Sequence, residues 1–248
     1  MPIPVVGRKR GPSPDAMTLA EHLAELRHRL IVSVVAFVIA GTVAAVFYNW
    51  FLGVLQHPYC HVRPHNCRFY VTGPLDPLSL RVEMAAFGGL VLASPVILWQ
   101  MWRFITPGLR DKERRYVIPF VLASLVLFLA GCATAYFIFP HALQFLIDVG
   151  GPRLFEILSP NSYLSLILLM MALFGLSFEF PVVLVALELV RVVTPAQLLH
   201  WWRWSVIAIT AGAAIFTPSS DPFSMLALAV PLVVFYFAAI GIGKLLGR

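Results

Sequence analysis

Long runs of apolar side chains recur along this chain, and they constrain its fold more than any other feature. A run of about 18 or more such residues is long enough for a helix to cross the hydrocarbon core of a bilayer. Only 12% of the 248 residues are charged, whereas soluble domains carry about 25%. The sequence therefore predicts an all-α, polytopic integral membrane protein and excludes a water-soluble globular domain.

Six segments are predicted to cross the membrane as helices. They cover residues 30–47, 78–102, 116–139, 163–187, 204–216 and 223–242. Prolines fall inside four of the six segments, which predicts kinked helices. They are Pro95, Pro119, Pro181 and Pro231.

The fifth segment, residues 204–216, is short for a span. A helix of that length extends roughly 20 Å, against a hydrocarbon core of about 30 Å. A longer helix would bring Arg203 into the span, beside the interfacial aromatic residues Trp201, Trp202 and Trp204. Two interpretations stay open: the bilayer thins at this point, or Arg203 snorkels to the interface.

The basic residues predict the orientation of the six spans. Fourteen of the 18 Lys and Arg residues lie on one side, in the N-terminal arm, the loops after the second and fourth spans, and the tail. Basic loops stay in the cytoplasm, so both termini are expected there, and nucleic-acid binding is not needed to explain the charge. We expect a basic arm over residues 1–17, without a cleavable signal peptide, one membrane domain over 18–243, and a short tail over 244–248.

An amphipathic helix is predicted before the first span, over residues 18–30. Leu19, Leu23, Leu26 and Leu30 form one apolar stripe on it. Glu25 and Arg29 have the i,i+4 spacing and order that favour an ion pair.

The loop over residues 49–77 is expected on the outer side and carries two cysteines six residues apart, Cys60 and Cys67. An oxidising compartment favours a disulfide between them. Two alternatives stay open: free thiols, or a metal site that adds His61 and His65, although the spacing fits no standard zinc pattern. We expect no metal and no cofactor.

Carboxylates are few on the basic inner side, and one lies in mid-span. The expected inner carboxylates are Asp15, Glu21, Glu25, Asp111, Glu113 and Glu188. Glu179 interrupts the fourth span, where an ionisable side chain is a functional candidate by default. Asp221 lies in the outer turn between the last two spans, among residues that also favour an ordinary turn.

Five stretches of the sequence resemble the TatC family of twin-arginine protein translocases, bacterial type, from about Leu19 to Ile240. They are HLAELRHRL (22–30), SPVILWQMWRFITPGLRDKERR (94–115), AGCATAYFIFP (130–140), FGLSFEFPV (174–182) and FTPSSDPFSMLALAVP (216–231). The resemblance implies a cupped six-helix protein of the bacterial cytoplasmic membrane. It also implies binding of twin-arginine signal peptides and assembly, as one of several copies, with TatA/TatB-type single-span subunits among membrane lipids. Transport would be driven by the proton-motive force.

The same resemblance assigns roles to individual residues. Glu25 and Glu113 match the family's signal-peptide glutamates, and carboxylates are the natural partners of guanidinium groups. The apolar flank of the signal would meet Phe104, Pro107 and Leu109. Glu179 would contact a partner subunit in the membrane, near Met225, which stands where some relatives have a glutamine. Asp221 would belong to the outer hinge.

Two other classes of function remain as alternatives. A small ion- or proton-coupled secondary transporter would use Glu179 as a relay, but the sequence shows no repeat pairing the first three spans with the last three. An intramembrane enzyme would need a nucleophile, a pair of aspartates or a metal-ligand set within the spans, and the sequence has none of these patterns. We therefore expect no enzymatic activity.

Overall fold

The computed structural model describes residues 19–62, 69–71, 73–105, 117–150, 159–218 and 221–245, and over these ranges the chain is helical without β-strands. The helices are α1 (Leu19–Val46), α2 (Tyr48–Val62), α3 (Asp76–Ile105), α4 (Val117–Gly150), α5 (Pro160–Ser177), α6 (Phe180–Leu189), α7 (Pro195–Phe216) and α8 (Pro222–Leu245). The predicted all-α class is confirmed. The predicted N-terminal arm lies outside the described residues.

Within these ranges, five stretches are long and apolar enough to cross a membrane. They are Leu23–Val46, Asp76–Phe104, Val117–Val149, Pro160–Leu189 and Pro222–Leu245. Helix α7 is not among them. Its 22 residues extend about 33 Å, but His200 and Arg203 lie in its first half and lower its hydropathy. The count of six spans therefore stays a prediction.

Helices α1 and α3 pack closely because glycines face each other across the interface. A Cβ atom on Gly89 would lie 2.8 Å from the backbone of Gly41, and one on Gly41 would lie 3.3 Å from the carbonyl oxygen of Ala85. Small residues let membrane helices approach to backbone contact. This interface holds α1 against the rest of the protein, although most of the α1 surface is exposed.

The segment after α1, which the sequence predicts as a loop, contains the helix α2. Helix α2 is tied to its neighbours by two tyrosine hydroxyls. Tyr136 of α4 donates to the carbonyl oxygen of Val54, and Tyr163 of α5 donates to that of Leu55, each over 2.9 Å. Val54 lies four residues before Pro58, which has no backbone N–H to donate to the Val54 carbonyl oxygen.

Three predicted boundaries differ from the structure. The amphipathic helix and the first span form one continuous helix, α1. Helix α4 continues through Pro140 to Gly150, beyond the predicted end at residue 139. The fourth span is broken at Phe178 and Glu179, two residues before Pro181, so that α5 and α6 are separate helices.

Helix α7 begins nine residues before the predicted fifth span, because a capping box fixes its first turn. The Gln197 backbone N–H donates to Thr194 Oγ1 over 3.3 Å, and the Thr194 N–H donates to Gln197 Oε1 over 2.9 Å. Arg203 therefore lies within the helix, exposed, with its guanidinium 5.6 Å from the centre of the Trp202 ring.

Candidate functional site

Glu25, the first of the predicted binding carboxylates, lies in the second turn of α1 and is half-buried. Arg29 donates from Nε to Glu25 Oε1 over 3.1 Å, and its Nη2 contacts the same oxygen. The predicted ion pair is therefore confirmed. The second oxygen, Oε2, is buried and has no hydrogen-bond partner among the described residues. Since an ionised carboxylate has about four acceptor sites, Arg29 leaves some of them unused.

Phe104 lies at the same level as Glu25 on the neighbouring helix. Gly41 of α1 lies opposite residues 85 and 89 of α3. Glu25 lies sixteen residues before Gly41 in α1. In an antiparallel neighbour with the same rise per residue, the level of Glu25 falls sixteen residues after residues 85–89, at about residue 103. Phe104 is half-buried in the last turn of α3. The remaining predicted contributors lie outside the described residues: Pro107, Leu109 and Glu113.

Glu179 lies at the junction of α5 and α6 with 7% of its surface exposed. Neither carboxyl oxygen has a hydrogen-bond partner in the described part of the chain. The polar side chain next to the carboxyl is Ser124 of α4, and Ser124 Oγ accepts a hydrogen bond from Trp102 Nε1 over 2.9 Å. This pair is not predictable from the sequence, because one serine in an apolar span and one tryptophan near a helix end carry no distinctive signal.

Met225 does not lie beside Glu179. Phe178, the residue before Glu179, packs edge-to-face on Phe235 of α8 with 5.4 Å between ring centres. Met225 lies ten residues earlier along α8, about 15 Å nearer its start. The contact of either residue with a partner subunit stays a prediction.

Glu188 was expected among the inner-side carboxylates, and that assignment stays a prediction. The residue lies in the last turn of α6 with 1% of its surface exposed. Its carboxyl group lies where a side chain on Gly243 of α8 would be, so the missing side chain makes room for it. Both oxygens lack a hydrogen-bond partner among the described residues. Another acid within these apolar stretches is Glu83 of α3, which accepts a hydrogen bond from Ser165 of α5.

Asp221 is buried, with 1% exposed, just before α8. Its Oδ1 accepts a hydrogen bond from the Ser224 backbone N–H over 2.7 Å, which is the geometry of a helix N-cap. The position thus satisfies ordinary turn and capping chemistry. A role in an outer hinge stays a prediction.

Cys60 lies in the last turn of α2 and is disulfide-bonded. Cys67 and His65 lie outside the described residues, so the pairing of the two cysteines stays a prediction. Cys132 of α4 is a buried free thiol. In the described ranges, no group of three or more His, Cys, Asp or Glu side chains could hold a metal ion.

These features define a class of protein: a multi-pass helical membrane protein that carries partly unpartnered carboxylates at a helix end and at a helix junction. Such carboxylates are suited to bind cationic groups or hydrogen-bond donors. Comparisons with known proteins identify the family to which the chain belongs.

The chain belongs to the TatC family. Residues 21–231 match the family model described as Sec-independent protein translocase protein (TatC). The chain is 39% identical to the TatC protein of Frankia casuarinae, over 97% of this chain and 69% of that one. It is 37% identical to the TatC protein of Aquifex aeolicus, over 94% and 97% respectively.

Solved structures agree with the sequence relatives. A crystal structure of a twin-arginine translocase receptor, TatC, in the detergent DDM matches with a TM-score of 0.77 and 36% identity. The match covers 90% of this chain and 99% of that one. The family resemblance predicted from the motifs is confirmed. The chain is accordingly a core subunit of the Sec-independent translocase, a transport family rather than an enzyme family, and a multi-pass membrane protein.

Proposed function

We propose that this chain binds twin-arginine signal peptides on the cytoplasmic side of a bacterial inner membrane and assembles the export complex around them. The observation that carries the proposal is the state of Glu25. One oxygen is held by Arg29, and the other is buried without a partner among the described residues. A guanidinium donates to a carboxylate through a planar fork, so this unpartnered oxygen is suited to an incoming arginine.

The rest of the site is proposed around Glu25. Phe104 stands level with it on α3, and the connection from α3 to α4 carries Pro107, Leu109 and Glu113. Glu113 would bind the second arginine, while the aromatic and aliphatic side chains would receive the apolar part of the signal. This arrangement explains why an otherwise basic side keeps acidic residues there.

The proposed topology has six spans with both termini in the cytoplasm, and α7 serves as the fifth span. The basic residues support this orientation, and the length of α7 supports the count. The helices would enclose a cupped face. Glu179 and Met225 would meet TatA/TatB-type single-span subunits on it, while Asp221 would anchor the outer hinge. Several copies of the chain would work together, with transport driven by the proton-motive force.

The proposal is tested by charge substitutions at the site. Glu25→Lys and Glu113→Lys should each abolish photocrosslinking of a twin-arginine signal peptide to inserted protein. Asp148→Lys is the matched control, because Asp148 is exposed near the opposite end of α4, and it should crosslink like wild type. Wild-type crosslinking in a Glu25→Lys, Glu113→Lys double variant would refute both roles.

A second comparison separates recognition from simple helix stabilisation. If Glu25 serves only Arg29, then Glu25→Gln and Arg29→Gln should have the same effect on peptide affinity. If Glu25 binds the signal, Glu25→Gln loses a charge-assisted contact of about 1.5–3 kcal/mol, roughly a 10- to 150-fold loss of affinity. Arg29→Gln frees the carboxylate and should preserve binding.

A further inference from the structure

A buried polar connection joins three helices near the inner end of the protein. Trp102 of α3 donates from Nε1 to Ser124 Oγ of α4 over 2.9 Å. Trp102 is 4% exposed and Ser124 is fully buried. Ser124 in turn is the polar neighbour of the Glu179 carboxyl at the α5–α6 junction. The connection therefore runs from the end of one helix to the break between two others.

The chemistry of a hydroxyl explains why Ser124 can serve both neighbours. A serine hydroxyl accepts through its lone pairs and donates through one rotatable proton. The indole N–H occupies a lone pair, which leaves the proton free to turn toward Glu179. Neither Glu179 oxygen has a hydrogen-bond partner among the described residues. A buried carboxyl group without partners is costly in apolar surroundings, so the neighbouring hydroxyl and the side chains packed around it decide where the carboxyl group lies.

Trp102 also couples the connection to the inner end of α3. Its ring packs against Phe120 of α4 with 4.9 Å between ring centres. It belongs to a buried cluster with Val121 of α4 and with Val182 and Ala186 of α6. Close-packed side chains transmit displacements because they have little free volume. A displacement of the end of α3 should therefore also displace Ser124.

Phe104, two residues beyond Trp102, is a proposed contact for the signal peptide. We propose that Trp102 and Ser124 are positioning residues that hold the Glu179 carboxyl inside the helix bundle and link it to the signal-binding end of α3. This inference rests on the proposed function for its link to signal binding. Its first part, the holding of Glu179, is independent of any peptide.

The test measures how fast a hydrophobic carbodiimide labels Glu179 in the full-length protein in nanodiscs, read by peptide mass spectrometry. In wild type, a twin-arginine signal peptide should raise the labelling rate. Without peptide, Ser124→Ala and Trp102→Phe should label roughly three- to tenfold faster than wild type, the range expected from the loss of the Trp102–Ser124 hydrogen bond. Both variants should respond little to added peptide. Trp102→Phe keeps an aromatic ring against Phe120. It therefore tests the same hydrogen bond even if the Ser124→Ala variant misfolds.

Two controls separate positioning from general loosening. Labelling of Glu188, which is buried elsewhere in the same helix pair, should not change in either variant. Ser165→Ala removes the hydroxyl of a different serine–glutamate pair and should leave Glu179 labelling at the wild-type rate. If Glu188 labelling accelerates as much as Glu179 labelling in either variant, the proposal is overturned. The same holds if Ser165→Ala accelerates Glu179 labelling to the same extent.

The two parts of the inference fail in different ways. Wild-type labelling of Glu179 in both variants without peptide overturns the holding role. A wild-type protein that binds the signal peptide but shows no change at Glu179 overturns the link to α3. A wild-type protein that does not bind the peptide refutes the proposed function itself, while the peptide-free comparison still decides whether Trp102 and Ser124 hold Glu179.

Discussion

Substitution of Gly131 by alanine should separate α4 from α5. A Cβ atom at this position would lie 2.6 Å from the carbonyl oxygen of Phe174 and 2.9 Å from Cα of Gly175. Ordinary contacts begin at 3.4 Å, so the helices must move apart by about 0.8 Å locally. Both obstacles are backbone atoms of a helix, which cannot rotate aside as a side chain can.

The cost of that movement follows from the packing around it. Phe174 and Ala135 are fully buried at this interface, and overpacking a close-packed core costs about 1–3 kcal/mol. For a chain of this size, each kcal/mol shifts the melting temperature by roughly 2–4 °C. Gly131→Ala should therefore melt roughly 2–12 °C below wild type.

The assay is thermal unfolding of the purified protein in one mild detergent, followed by tryptophan fluorescence. Gly241→Ala is the matched control, because a Cβ atom there meets nothing within 4 Å. The control should be unchanged or slightly more stable, since alanine favours a helix over glycine by about 0.5–1 kcal/mol. If Gly131→Ala melts with or above Gly241→Ala, the close approach of α4 and α5 is wrong.

Three further substitutions test other contacts in the same unfolding assay. Gly243→Ala should destabilise the protein by about 1–3 kcal/mol because the new methyl group overlaps the buried Glu188 carboxyl. Adding Glu188→Ala should recover part of that loss, and simple additivity would contradict the contact. Tyr236→Phe should cost about 1–3 kcal/mol, because it removes a buried 2.7 Å hydrogen bond to the Leu198 carbonyl oxygen. Arg191→Gly should gain about 1 kcal/mol, because Arg191 is exposed with φ 63°; a loss of stability would indicate a further contact for the arginine.

The sequence predicted the fold class and the approximate place of the long apolar helices, because runs of apolar side chains indicate membrane-spanning segments. It missed α2, because that helix is short, contains Pro58, and is held by tyrosine hydroxyls from distant α4 and α5. The predicted third span ends at residue 139, whereas α4 continues through Pro140 to Gly150. Tertiary packing decides such boundaries, and a local pattern carries no information about it.

The candidate site was predictable to a different degree at each residue. The Glu25–Arg29 pair follows from helical spacing alone, and the structure contains it. The roles of Glu113, Pro107 and Leu109 depend on the family resemblance and stay predictions. The burial of Glu188 depends on Gly243, 55 positions away in the chain. The neighbour of Glu179 depends in the same way on Ser124, so neither environment can be read from local sequence.

The most direct test of the account is the choice that the purified protein makes between two signal peptides that differ only at the paired basic positions. In nanodiscs, a peptide with two adjacent arginines should bind at least about tenfold more tightly than its twin-lysine counterpart. A guanidinium makes a forked contact with a carboxylate that an ammonium group cannot make. Equal affinity for the two peptides would contradict the proposed role of Glu25.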